Sequence, residues 1–83
     1  MYKIEVTKED IAKGIPTKEN SCAIAKAVRR AVGHRKIYVN YFGDIKIDNN
    51  QYKANKNIVK FIRRFDNDKN KCRPFSFTIE KVD

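Results

Sequence analysis

Residues 21–33, S-C-A-I-A-K-A-V-R-R-A-V-G, read as one helix around which the rest of the chain is arranged. Ile24, Ala25, Val28, Ala31 and Val32 have the spacing of one apolar helix face. Ser21 is the expected N-cap, because its hydroxyl can accept from an orphan backbone N–H of the first turn. Gly33 suits the left-handed backbone that ends a helix, and His34 and Arg35 follow where cations meet the negative dipole end. Lys26, Arg29 and Arg30 stand at i, i+3, i+4 and form one cationic patch opposite the buried face. The row Ala23, Ala27, Ala31 keeps side chains small, so a sheet, a helix or a ligand can approach the backbone. The plainer alternative is a helix packed on a sheet with its charges solvated, the usual state of surface lysine and arginine.

Before this helix, Tyr2, Ile4 and Val6 alternate with Lys3 and Glu5, which predicts a half-buried strand. Thr7 then caps a helical turn that runs to Lys13 and stops at Gly14. Ile15 precedes Pro16 and is held extended. After Gly33 the pattern switches from helical to alternating. Residues 36–42 are rich in aromatic and branched side chains and read as a strand, with residues 45–47 and 51–54 following as two more. Gly43-Asp44 and residues 48–50 are the turns of this antiparallel meander.

Asn57 is the expected N-cap of a second helix, in which Ile58, Phe61, Ile62 and Phe65 recur at i, i+3, i+4, i+7. Lys60, Arg63 and Arg64 decorate its other face. Residues 66–71 read as a polar turn, and residues 73–81 close the chain as a strand with Phe75, Phe77 and Ile79 on one side. The first and last strands are expected to be neighbours. The order β-α-β-β-β-α-β predicts a single α+β domain over residues 1–83. Two principal helices would cover one face of a mainly antiparallel sheet of about four to five strands.

Eighty-three residues bury only a small core, so stability is marginal and homo-oligomerisation a reasonable way to add to it. The 19 basic and 10 acidic residues give a formal charge of +9, which concerns partners rather than fold. Nucleic acid, nucleotides, acidic protein surfaces and anionic lipid all fit that charge. A hydrophobic content of 41% is too high for a disordered basic tail. Cys22 and Cys72 are too few for a disulfide framework, and with His34 as the only histidine they do not make a zinc site. No signal peptide and no apolar run of membrane length is recognised, which points to a cytoplasmic protein with reduced thiols. Cys22 lies where a helix dipole lowers a thiol pKa, but burial as a small hydrophobe is the more ordinary fate.

The sequence offers no catalytic constellation. A Cys22–His34 dyad would need the chain to fold back on itself, and no nucleophile turn accompanies it. Three glycines make neither a Walker loop nor a dinucleotide fingerprint. Residues 66–70 open like a calcium loop. Lys71 then occupies the sixth position and Phe77 the twelfth, so the turn and the bidentate ligand both fail. The reading is therefore of a non-enzyme without metal or cofactor.

Basic residues interleaved with aromatics carry the strongest signal. Arginine forks match phosphate geometry and tyrosine can stack on a base. The candidate ligand site is Ser21, Lys26, Arg29 and Arg30 for phosphates, with Arg73 assisting and Tyr38 or Phe75 stacking. Lys60, Arg63, Arg64, Tyr41 and Tyr52 belong to the same class of signal without entering that site. No zinc finger, RNP motif or basic zipper is present, and three strands separate the helices that a helix-turn-helix would join.

Two passages taken together carry a resemblance. Residues 21–30 are similar to a C-P-[IV]-A-x-A-[LV]-[RK]-R segment. Phe61-Ile62-Arg63-Arg64-Phe65-Asp66 and Arg73-Pro74-Phe75-Ser76-Phe77 are similar to its companion F-I-x-x-F-D … K-P-F-x-F. Both mark a group of small, mostly uncharacterised phage and prophage proteins, and the likeness runs from about Glu5 onward. Ala23 departs from the group's proline, which would pre-set the first helical turn. The resemblance brings no catalytic residues. It implies a counter-defence setting, in which a compact basic oligomer sequesters an anionic nucleotide-derived signal of host immunity. The alternatives are a nucleic-acid-binding or regulatory protein using the same basic face, and an inhibitor that binds a host protein directly.

Overall fold

The computed structural model describes residues 1–33 and 36–82, so the expectations for His34 and Arg35 lie outside the described residues. The elements are β1 (Tyr2–Val6), α1 (Lys8–Lys13), α2 (Ala23–Val32), β2 (Ile37–Val39), β3 (Ile45–Ile47), β4 (Asn50–Ala54), α3 (Val59–Asp68) and β5 (Phe75–Lys81). A 3-10 turn, Lys69–Lys71, follows α3. The five strands form one sheet in the order β1-β5-β4-β3-β2, antiparallel throughout. The α+β reading holds, and the first and last strands pair as expected, with Ile4 opposite Phe77.

Strand alternation decides the layers. Ile4, Val6, Ile37, Val39, Ile45, Ile47, Phe77 and Ile79 point into a single core, while Lys3, Tyr38, Lys46, Lys53 and Glu80 point away from it. The helices supply Ile11, Ile24, Val28, Ile62 and Phe65 to that core.

Helix α2 packs against β1 and β2, which are the two edge strands, so the sheet curls around it. Small side chains allow this approach: Ala23 and Ala25 are 0% exposed and Ala27 is 1%. Ala31 is the exception. Its spacing places it on the buried stripe, yet it is exposed, while Val32 beside it packs against the core. Each edge strand also receives a hydrogen-bond partner from the region of α2. Val39 N–H donates to the Glu19 carbonyl (2.8 Å), and the Arg30 guanidinium donates to the Glu5 carbonyl (2.6 Å). Such partners blunt strand edges that would otherwise invite pairing with another chain.

Several expected boundaries shift for local chemical reasons. Cys22, not Ser21, is the N-cap of α2, its sulfur accepting from Ala25 N–H at 3.4 Å. Ser21 Oγ is occupied with Asn20 Oδ1 (3.2 Å). Strand β2 ends at Val39, because the Asn40 side chain closes the next four residues into a turn. Its Oδ1 accepts from Phe42 N–H and Asp44 N–H, both at 2.9 Å. Residues 66–68 belong to α3 rather than to a turn, and Asp68 then accepts from Asn70 N–H to start the 3-10 turn. Thr7 and Asp10 form a reciprocal capping box at α1, giving a third helix.

Candidate anion-binding surface

The structure sorts the basic residues by whether they already have partners. Arg30, at the centre of the expected phosphate patch, is tied into the fold. Its guanidinium forks onto Asp10, Nη1 to Oδ1 and Nη2 to Oδ2, both at 2.8 Å, besides its bond to Glu5. Arg29 Nη2 donates to the Asn20 carbonyl at 2.9 Å. Lys26, Arg29 and Arg30 do share a cleft of about 390 Å³ between α1 and α2, but Glu9 and Asp10 line it too. Lys13, also in that cleft, pairs with Glu9 at 3.0 Å. The patch is therefore partly neutralised from the opposite wall.

The remaining expected site residues lie elsewhere. Tyr38 is 44% exposed on the sheet face that the helices do not cover. Phe75 is half-buried and packs against the core, its ring 4.8 Å from Phe61 and 5.4 Å from Phe77 between centroids. Arg73 lines a separate open hollow of about 790 Å³ with Arg64, Asn70, Lys71 and Cys72. The fold thus brings Lys26, Arg29 and Arg30 together and places Tyr38, Arg73 and Phe75 away from them. No element of the fold gathers that set into one pocket.

The face of α3 behaves differently. Lys60, Arg63 and Arg64 are exposed opposite the stripe Ile58, Ile62, Phe65, and Lys71 and Arg73 continue the run past the helix end. Among the described residues the ion pairs are Lys3–Glu5, Lys13–Glu9 and Arg30–Asp10, none of them on this face. The two acids of α3 each accept from a backbone N–H. Asp66 Oδ1 accepts from Thr17 N–H at 2.9 Å and Asp68 Oδ1 from Asn70 N–H at 3.1 Å. The cationic side chains of this face are left in water with no carboxylate among the described residues at ion-pair distance, and Asp66 and Asp68 keep their charge while bonded to the backbone, so the face carries a net positive field.

Two aromatics border this surface. Tyr41 and Phe42 sit at the β2–β3 turn, 48% and 78% exposed, their rings 6.1 Å apart at 74°. Arg63 lies over the Tyr41 ring, its Cζ 5.5 Å from the centroid. Phe42 borders a hollow of about 410 Å³ that also includes Lys53, Lys56, Val59 and Val82. Gly43, at φ +86°, holds the turn against α3, where a Cβ would come within 3.1 Å of Val59 Cγ2. The helical spacing of Lys60, Arg63 and Arg64 makes a second cationic row legible in the sequence. Phe42 is not legible in that way, because the run 36–42 reads as continuous strand.

Neither thiol is activated. Burial pushes the Cys22 thiol up despite backbone donors from Ala25 and Ile24, and burial also pushes Cys72 up, with Arg64 pulling the other way. Among the described residues, no cluster of histidine, cysteine and carboxylate side chains can hold a metal ion. Among the same residues, no helix is long and apolar enough to cross a membrane. No family model matches the chain, and comparison with curated proteins and with solved structures yields no match.

Proposed function

We propose that this chain is a non-catalytic nucleic-acid-binding protein that uses the α3 face to follow a phosphate backbone in the cytoplasm. One observation carries the reading: Lys60, Arg63, Arg64, Lys71 and Arg73 form an exposed run without ion pairs among the described residues. An open run of forked and point cations fits a polyanion whose phosphates repeat along a line better than a small enclosed ligand. The test is binding of a labelled oligonucleotide across a salt series. Replacing Arg63 and Arg64 by alanine is expected to weaken binding and to flatten the log–log salt slope by about 1–2, one increment for each phosphate no longer engaged. Lys26→Ala with Arg29→Ala should leave that slope unchanged. Equal effects from both pairs would remove α3 from the reading.

A second reading, capture of a small nucleotide-derived signal, is favoured by the α1–α2 cleft. Its volume of about 390 Å³ is of ligand size, and Lys13, Lys26 and Arg29 border it. This is the counter-defence role implied by the phage resemblance, with homo-oligomerisation enclosing the cleft. Native mass spectrometry with cyclic dinucleotides, cyclic oligonucleotides and ADP-ribose derivatives discriminates the two. A discrete oligomer retaining one such ligand selects the cleft.

A further inference from the structure

We infer that the partner is single-stranded nucleic acid, with Phe42 and Tyr41 acting as a base-stacking platform beside the cationic run of α3. The inference rests on the nucleic-acid reading above and adds the form of the ligand.

Phosphate contacts alone do not distinguish one strand from two, because both carry the charge. Unstacked bases do, because they present faces that a duplex hides, and an exposed aromatic ring can cover such a face. Most large apolar side chains here are buried, yet Phe42 is left 78% in water with the half-exposed Tyr41 beside it. A scattered exposed apolar residue needs no explanation, but two adjacent rings bordered by cations form a patch with a chemistry. Arg63 joins the two halves of that patch, since it belongs to the cationic row and also lies over Tyr41.

The backbone that carries the rings is also held in place. Asn40 Oδ1 takes the N–H groups of Phe42 and Asp44, and its Nδ2 donates to Asp44 Oδ2 at 3.0 Å. Asn40 N–H and the Asp44 carbonyl close the same turn at 3.1 Å. A turn fixed in this way presents its aromatics on an already ordered backbone, so binding has only the rings left to order. The hollow next to Phe42 includes Lys53 and Lys56 beside Asp44, and Lys56 Nζ already donates to the Ser76 carbonyl at 2.8 Å, so Lys53 is the cation that a phosphate on this side of a stacked base would meet, as Arg63 is on the other.

Three probes separate the possibilities: a single-stranded oligonucleotide of roughly 12 nucleotides, its duplex, and an abasic strand of equal charge. The expected order is single strand tightest, with duplex and abasic strand weaker by about tenfold or more. Phe42→Ala with Tyr41→Ala should bring the single strand down to the abasic level while leaving abasic binding unchanged. The chain contains no tryptophan, so Phe42→Trp supplies a unique reporter in a variant that keeps a ring. Its fluorescence should be quenched by the single strand and not by the abasic one. Equal affinity for single and abasic strands, with no quenching, overturns the stacking inference and leaves backbone binding standing. Failure of every strand to bind at low salt overturns both readings.

Discussion

The Arg30 guanidinium meets the Asp10 carboxylate end-on, with both of its parallel contacts at 2.8 Å. The pair joins α2 to α1, and the further bond from Arg30 to the Glu5 carbonyl fastens β1 to both. Asp10 is nearly buried, its side chain 5% exposed, whereas that of Arg30 is 51% exposed. A residue positioned to attract an external phosphate is thus already satisfied by an internal carboxylate.

Removing one partner should therefore act on stability. Asp10→Ala is expected to cost about 1–3 kcal/mol, less than a fully buried pair because water screens the arginine. Arg29→Ala with Arg30→Ala should lower the urea midpoint before it changes any binding. An unchanged midpoint in both variants would show that the pair is dispensable.

The same contact sets an acid dependence. Burial pushes the Asp10 carboxyl up, but the Arg30 fork and the Thr7 N–H and hydroxyl outweigh it and hold the group below the ordinary carboxylate range. The unfolded chain then takes up this proton before the folded one. The stabilisation is complete above about pH 4 and is lost as pH falls through the lower folded value. Urea midpoints measured on the acid side should fall less steeply for Arg30→Met than for the wild type. Parallel profiles would contradict the assignment.

Two glycines should resist a side chain for different reasons. At Gly14 a Cβ would stand 2.7 Å from Ala23 N and from the Asp10 carbonyl oxygen, and 2.9 Å from Phe65 Cζ. Two of these neighbours are backbone, so Gly14→Ala is expected to cost about 3 kcal/mol. At Gly33 nothing among the described residues lies within 4 Å, and the φ of +91° is what resists a side chain. Its ψ of −168° puts it in a region essentially reserved for glycine, so Gly33→Ala should cost about 1–3 kcal/mol by backbone strain alone. Thermal melts of both variants decide it, and a Gly14→Ala variant that melts with the wild type would count against the close approach.

The two thiols should separate by access. Cys22 is 9% exposed and caps α2, whereas Cys72 is half-buried beside Arg64. An aromatic disulfide reagent at neutral pH should titrate Cys72 alone in the native protein and reach Cys22 only on unfolding. Simultaneous reaction of both would mean that α2 opens at its N-terminus.

Asn40→Ala should cost about 1–2 kcal/mol by leaving the Phe42 and Asp44 amides without their acceptor. Hydrogen exchange at those two amides should accelerate while exchange in α2 stays as it was.

Much of the architecture is legible in the sequence because its signals are local. The alternation at Tyr2, Ile4 and Val6 and the i, i+3, i+4, i+7 stripe from Ile58 to Phe65 each lie within one element, where backbone period alone sorts faces. Expectation and structure part where a nearby side chain competes with that period. Cys22 takes the capping role that composition assigns to Ser21, and Asn40 ends a strand whose composition favours continuing.

The candidate site is less legible, because the state of a charge depends on what folds against it. Lys26, Arg29 and Arg30 and Lys60, Arg63 and Arg64 are the same pattern in sequence, three cations at i, i+3, i+4. Asp10 lies twenty residues from Arg30 along the chain, and no local rule connects them. By itself the sequence determined the helices, the strands, their buried faces and the excess of positive charge, since these follow from spacing and composition. Only the tertiary structure decided which cations remain free of ion pairs, because pairing depends on distances in space. It closed α1 onto α2, turned Asp66 toward Thr17, and left the α3 face open beside Tyr41 and Phe42.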